Sequence, residues 1–231
     1  MALAAYPAKV ITLAISDIPG DDPTVLASGP TVADTTTFND AIKIIDKYQI
    51  SLPESVSDYL RNGDNETPKP DDSRLKCNEF HLIGTPQKSL EAAASLSSKN
   101  KINPFILGSA IEGESREVAV VHAGIAKQVR LFGQPLPSPC LLLSGGETTV
   151  KVVGRGRGGR NAEFLLSLAI QLENLQGIWG IAADTDGLDG AEDNAGAILT
   201  PETIRRSYCL NLDAKLLLRD NDAYSFFSML N

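Results

Sequence analysis

Apolar positions follow two rhythms along this chain. Short, mostly apolar runs at 10–15, 80–83, 104–107, 140–143 and 178–182 predict strands. The first of these is apolar enough to read as a strand covered on both faces. A further strand is expected at 148–153. Between the runs, apolar residues recur at helical spacing. Ile42 and Ile45 share a face of a helix over 38–48, and a short helix covers 53–60. Thr85 caps a third helix with Pro86 at its first position, continued by Leu90, Ala93 and Leu96. Val118, Val121, Ile125 and Val129 mark the buried stripe of a fourth. Phe164, Leu168 and Leu172 line one over 163–173, and shorter helices follow near 201–208, 213–218 and 222–230. Strands alternating with helices predict an α/β protein, a three-layer αβα sandwich around a largely parallel sheet.

The segment 61–73, with Pro68 and Pro70 among Gly, Asn, Asp, Glu and Lys, reads as a linker. It divides residues 1–73 from 74–231. Both ends read as cut: a strand of central type begins within ten residues of Met1, and the last helix ends on an apolar face. The first region is therefore expected to be the tail of a larger domain.

Composition narrows the picture. Hydrophobic residues make up 42% of the 231 and charged ones 22%, which excludes a disordered chain. The net charge of −8 argues against a nucleic-acid partner. No apolar run approaches the length of a membrane span. Cys77, Cys140 and Cys209 are scattered, so neither a zinc site nor a disulfide framework is indicated, and a reducing cytoplasm is expected. His81 and His122 are read as structural.

Chemistry concentrates in three glycine-rich loops. Ser144-Gly145-Gly146-Glu147-Thr148 ends a strand, either as an anion nest of backbone N–H groups or as a tight hairpin turn. Gly154, Gly156 and Gly159 satisfy G-x-G-x-x-G between a strand and a helix, formally a dinucleotide fingerprint. Arg155, Arg157 and Arg160 crowd that loop, against the helix macrodipole, which points to clamping of phosphate or carboxylate. Arg160 stands nearest the helix start. Asp184, Asp186, Asp189, Glu192 and Asp193 follow a buried strand within ten residues, a cluster that calls for a cation or arginines. Asp17, Asp21 and Asp22 form a smaller acidic loop. Anion nest, arginine clamp and acidic loop together suit phosphoryl transfer. No Walker A sequence is present.

Several ordered motifs carry a family resemblance: Ser16-Asp-Ile-Pro-Gly-Asp-Asp22, Ala27-Ser-Gly-Pro-Thr31, Gly84-Thr-Pro-Gln87, Leu143-Ser-Gly-Gly-Glu-Thr-Thr149, Gly156-Arg-Gly-Gly-Arg-Asn161, Ala183-Asp-Thr-Asp-Gly187 and Asn221-Asp-Ala-Tyr224. The chain strongly resembles the glycerate 2-kinases with a C-terminal MOFRL domain, whose members often carry the label hydroxypyruvate reductase. The resemblance implies ATP-dependent phosphorylation of D-glycerate to 2-phosphoglycerate with Mg2+. It implies two α/β domains with the active site between them. Residues 1–73 would be the C-terminal remnant of a Rossmann-like domain, and 74–231 an incomplete MOFRL-like domain. The family's catalytic lysine has no counterpart, so turnover by this chain would be impaired. Ala162 stands where the family usually has Gln.

The expected site follows. Arg160 and Asp186 would be catalytic. Asp17, Ser144, Gly145, Gly146, Glu147, Thr148, Arg157, Gly159 and Asn161 would bind substrate or nucleotide. Asp184, Asp186 and Asp189 would hold the metal. Glycerate and ATP are the expected partners, with no membrane, and a homodimer is among the assemblies allowed. Two alternatives stand beside this reading: an NAD(P)H-dependent hydroxypyruvate reductase resting on the glycine fingerprint and the label that family members carry, and a non-catalytic fragment that keeps ligand loops.

Overall fold

The computed structural model describes residues 1–63, 65–173 and 175–230. They form two compact units, 1–85 and 86–231, so the division falls beyond the compositional break at 73. The reason is strand pairing, because the strand after the expected linker belongs to the first unit.

In the first unit, α1 (Ala2–Ala5) precedes β1 (Ile11–Ile15), which pairs in parallel with β2 (Glu79–Gly84). Ile11, Leu13 and Ile15 share one face of β1 by the strand's two-residue period, and that face is exposed. The expectation of cover on both faces therefore fails for this strand. A capping box between Thr37 and Asp40 starts α2 (Phe38–Tyr48), and α3 (Glu54–Asn62) packs against it. The expected linker folds back on this pair. Asp34 N donates to the Pro68 carbonyl at 2.8 Å, and Phe38 N to Glu66 Oε1 at 2.7 Å. Asp64, within that segment, lies outside the described residues.

In the second unit, α4 (Pro86–Lys99) leads to β3 (Asn103–Glu114), α5 (Ser115–Phe132) and β4 (Cys140–Thr149). Strands β3 and β4 pair in parallel across α5, a βαβ unit with α4 also packed on it. The α/β class is thus observed. The next elements are α6 (Arg160–Gln171), β5 (Gly180–Ala183), β6 (Gly196–Leu199), α7 (Thr203–Cys209), α8 (Ala214–Arg219) and α9 (Ala223–Met229). Strands β5 and β6 are antiparallel, with Ala183 opposite Gly196, so the acidic loop is the connection of a hairpin.

Helix α6 is the centre of the core. Leu165, Leu166 and Phe226 are fully buried there, with Leu199, Ile204 and Leu230 around them. The buried side of α5 is Ala119, Ala123 and Val129, whereas Val121 is 62% exposed. Val129 of the expected stripe is buried and Val118 and Ile125 are half-buried, while Ala119 and Ala123 make the closest approach because α5 packs on α6 at small residues.

Candidate functional site

Three segments of the second unit meet at one cleft of about 420 Å³: the end of β4, the 154–159 loop leading into α6, and the β5–β6 connection. Thr148, Gly156, Gly159, Arg160, Glu163, Asp184 and Asp186 contribute to its lining.

Arg160 is the hub. Its Nε donates to Asp184 Oδ2 at 3.0 Å, and its Nη1 pairs with Glu147. Carboxylates from β4 and from the end of β5 thereby converge on one guanidinium. Asp184 is nearly covered, while Glu147 keeps 41% of its side chain exposed. The more exposed partner is the one that an incoming anion can exchange with at least cost.

The glycine loop has a different explanation from the fingerprint. A Cβ on Gly154 would sit 2.2 Å from the Asp220 carbonyl oxygen, and one on Gly156 would sit 2.3 Å from Asp222 Cβ. Both glycines admit the chain's own 220–222 turn. That turn is bonded throughout. Gly156 N donates to Asp220 O at 2.9 Å, Arg157 N to Asp222 Oδ1 at 2.9 Å, and Tyr224 N to Arg157 O at 2.9 Å. Gly154→Ala is expected to destabilise the protein by about 1–3 kcal/mol through overpacking against backbone. A urea titration of the variant checks it.

Asp189, one of the expected metal ligands, is engaged by the start of α6. Its carboxylate is fully buried, and it accepts from Asn161 N at 2.9 Å, Ala162 N at 2.8 Å and Asn161 Nδ2 at 3.2 Å. It is the cap of α6, satisfying amide groups that a helix N-terminus otherwise leaves open. A dinucleotide fingerprint needs those amides for pyrophosphate, so the same contact takes the glycine fingerprint away as support for the reductase reading. Among the described residues no group of three or more His, Cys, Asp or Glu side chains has metal-holding geometry. Asp184 pairs with Arg160, and Asp186 Oδ1 accepts from Leu188 N at 2.8 Å.

The remaining acids are also spoken for. Glu192 pairs with Arg157, and that hydrogen bond raises the arginine's pKa above its ordinary value. The Arg157 guanidinium lies over the Tyr224 ring at 4.4 Å. Tyr224 Oη donates to Asp193 Oδ1 at 2.6 Å, which pushes the phenol's pKa above the usual tyrosine value. Arg157 thus clamps the chain itself.

Ser144-Gly145-Gly146 neither ends a strand nor makes a turn. It lies inside β4, where the pairing with β3 slips between Ile106 and Ile111. One irregular strand, Cys140–Thr149, replaces the two expected, and none follows at 150–153. Ser144 and Thr148 are both held from α5. Ser144 Oγ lies 3.1 Å from His122 Nε2, and Ser115 donates to Thr148 at 2.7 Å. Asp17 is exposed on the first unit, in the loop after β1.

Residue-by-residue reading passed over Asn221 and Glu163. Asn221 Oδ1 accepts from Val153 N at 2.9 Å and Gly154 N at 3.0 Å, and its Nδ2 donates to Glu163 Oε2 at 2.9 Å. Glu163, buried, takes a second bond from Arg116 Nε at 2.8 Å. The one available signal was the Asn221-Asp-Ala-Tyr224 motif. Asn221→Ala is expected to cost about 2–3 kcal/mol, because it strands two loop amides and a buried carboxylate. Its unfolding midpoint in urea checks the estimate.

Residues 140–231 match the model of the MOFRL family, and residues 1–61 match a domain of unknown function, DUF4147. All of this chain aligns at 49% identity with 52% of an Agrobacterium vitis protein named "Putative hydroxypyruvate reductase". At 40% identity, 95% of the chain aligns with 51% of the D-glycerate 2-kinase of Thermotoga maritima. The crystal structure of a glycerate kinase from Thermotoga maritima superposes with a TM-score of 0.87 at 39% identity, over 99% of this chain and 54% of that one. The chain spans about half the length of these relatives.

Proposed function

We propose that this chain, which matches the MOFRL family model and is similar to glycerate kinases, takes part in transfer of the γ-phosphoryl group of ATP to D-glycerate, giving 2-phosphoglycerate. The observation that carries the proposal is Arg160, held between Glu147 and Asp184 at the mouth of α6 in a cleft. A guanidinium so placed takes a carboxylate or phosphate by two parallel hydrogen bonds. In this reading the substrate anion displaces Glu147, and Asp184 keeps the guanidinium aligned. Asp186 stands beside it to orient the attacking hydroxyl and accept its proton.

Mg2+ fits this site in one limited way. Mg2+ commonly uses one or two carboxylates and takes its other ligands from phosphates and water. Asp186 and Asp184 would hold it, and Asp189 would not, being spent on the helix cap. When bound, the ion neutralises charge on the phosphate oxygens. The residues' own work is positioning: the 220–222 turn fixes the glycine loop, and the loop fixes Arg160.

The reductase alternative has the printed name of a relative in its favour and the capped α6 amides against it. The test is glycerate-dependent release of ADP from Mg-ATP by this chain, run beside hydroxypyruvate-dependent oxidation of NADH. Weak ADP release without NADH oxidation is expected, in keeping with the impaired turnover anticipated from the sequence, and the absence of both signals would favour the non-catalytic reading. NADH oxidation alone would replace the kinase reading with the reductase one.

A further inference from the structure

Among the described residues that line the cleft, Thr148, Arg160 and Asn221 carry N–H or O–H groups on their side chains. Arg160 gives to Glu147 and Asp184. Asn221 Nδ2 gives to the Lys151 carbonyl oxygen at 3.3 Å and to Glu163 Oε2 at 2.9 Å. Thr148 differs from both. Its Oγ1 accepts, from Ser115 Oγ at 2.7 Å. A hydroxyl has one hydrogen and two lone pairs. The threonine oxygen that accepts from Ser115 therefore keeps its hydrogen for another partner, and no acceptor among the described residues takes it.

The donor side of this pair is fixed from behind. Ser115 is fully buried and is the first residue of α5. The next residue ties the start of α5 to α6. Arg116 Nε donates to Glu163 Oε1 at 2.8 Å, and Ser167 Oγ donates to the Arg116 carbonyl oxygen at 2.8 Å. Ser115 is thus held in place, and the hydroxyl it donates to is held with it. Thr148 sits near the carboxyl end of β4, which runs parallel to β3. That is the edge of a parallel sheet where ligands bind.

We propose that Thr148 donates its hydroxyl hydrogen to an oxyanion of the bound substrate, a carboxylate or phosphate oxygen, with Ser115 as the positioning residue that holds it in the donor state. The inference rests on the reading of this cleft as part of a glycerate kinase. It deepens that reading by giving Arg160 an uncharged companion on a different element. The guanidinium attracts the anion, and a second donor on β4 orients it.

Calorimetry of D-glycerate and of Mg-ATP with this chain and its variants tests the assignment. Thr148→Val keeps the shape and removes the hydroxyl, and it is expected to weaken binding of at least one ligand about tenfold. A loss for D-glycerate places its carboxylate at Thr148, and a loss for Mg-ATP places a phosphate there. Thr148→Ala repeats the test without setting a methyl group against Ser115. Thr148→Ser returns the hydroxyl and is expected to restore most of the affinity. Ser115→Ala is expected to weaken the same ligand, by freeing Thr148 to turn its hydrogen away, and to have no further effect in Thr148→Val. A merely structural role would instead give the same loss in both backgrounds, and that result overturns the positioning role of Ser115. Undiminished affinity for both ligands in Thr148→Val and Thr148→Ala overturns the Thr148 assignment alone. Failure of the unaltered chain to bind either ligand overturns the functional reading and this inference with it.

Discussion

Asp189→Ala is expected to lower the free energy of unfolding by about 3 kcal/mol, the largest stability loss of any single change considered for the second unit. The carboxylate is fully buried and accepts from three N–H groups at the start of α6. Loss of an N-cap alone costs about 0.5–2 kcal/mol. Stranding buried donors that faced a charged acceptor adds roughly 1–3 kcal/mol. Because α6 is the centre of the core, its fraying cannot stay local. A loss of that size lowers the midpoint of thermal unfolding by roughly 6–12 °C for a chain of this length. Thermal unfolding followed by circular dichroism measures it. Asp189→Asn keeps one acceptor oxygen and is expected to lose about half as much. Adding Mg2+ is expected to leave the midpoint gap between Asp189→Ala and the unaltered chain unchanged. A gap that widened with Mg2+ would return Asp189 to the metal site, because the ion would then stabilise only the chain that keeps this ligand.

Arg160→Ala is expected to reduce kcat/KM for glycerate by about 10²–10³-fold, the range found when one preorganised charge-stabilising donor is removed. The effect has two parts. The clamp on the substrate anion is gone, and Glu147 and Asp184 are left facing the cleft without their shared cation. Two uncompensated carboxylates then repel the anionic substrates. Arg160→Lys restores a charge but not the planar fork that engages both carboxylates, so it is expected to recover only a small part. The glycerate-dependent ADP assay measures both variants. Rates within about threefold of the unaltered chain would remove Arg160 from the site.

The elements were legible because their signals are local. The shared face of Ile42 and Ile45 in α2 and the proline at the start of α4 mark helices within a few residues. What stayed hidden depends on distant partners. Gly154 and Gly156 look like a ligand cradle until the 220–222 turn is seen filling it. Asp189 looks like a cation ligand until α6 is seen ending on it, 28 residues away in sequence from Asn161. Ser144-Gly145-Gly146 looks like a turn because glycines usually break strands, and here the slip against β3 takes up the irregularity. Arg160 was legible from its place before an apolar helix, but its two carboxylates were not, since neither lies within the helix. The His122–Ser144 contact had no local signature either, because it joins a helix face to a strand across the βαβ unit.

Calorimetric titration of D-glycerate and of Mg-ATP into this chain and into Arg160→Ala tests the central claim most directly. Saturable binding of D-glycerate that is lost in Arg160→Ala is the predicted result, with Mg-ATP binding also weakened by the change. No saturable binding of either ligand, or binding that Arg160→Ala leaves intact, would contradict the account.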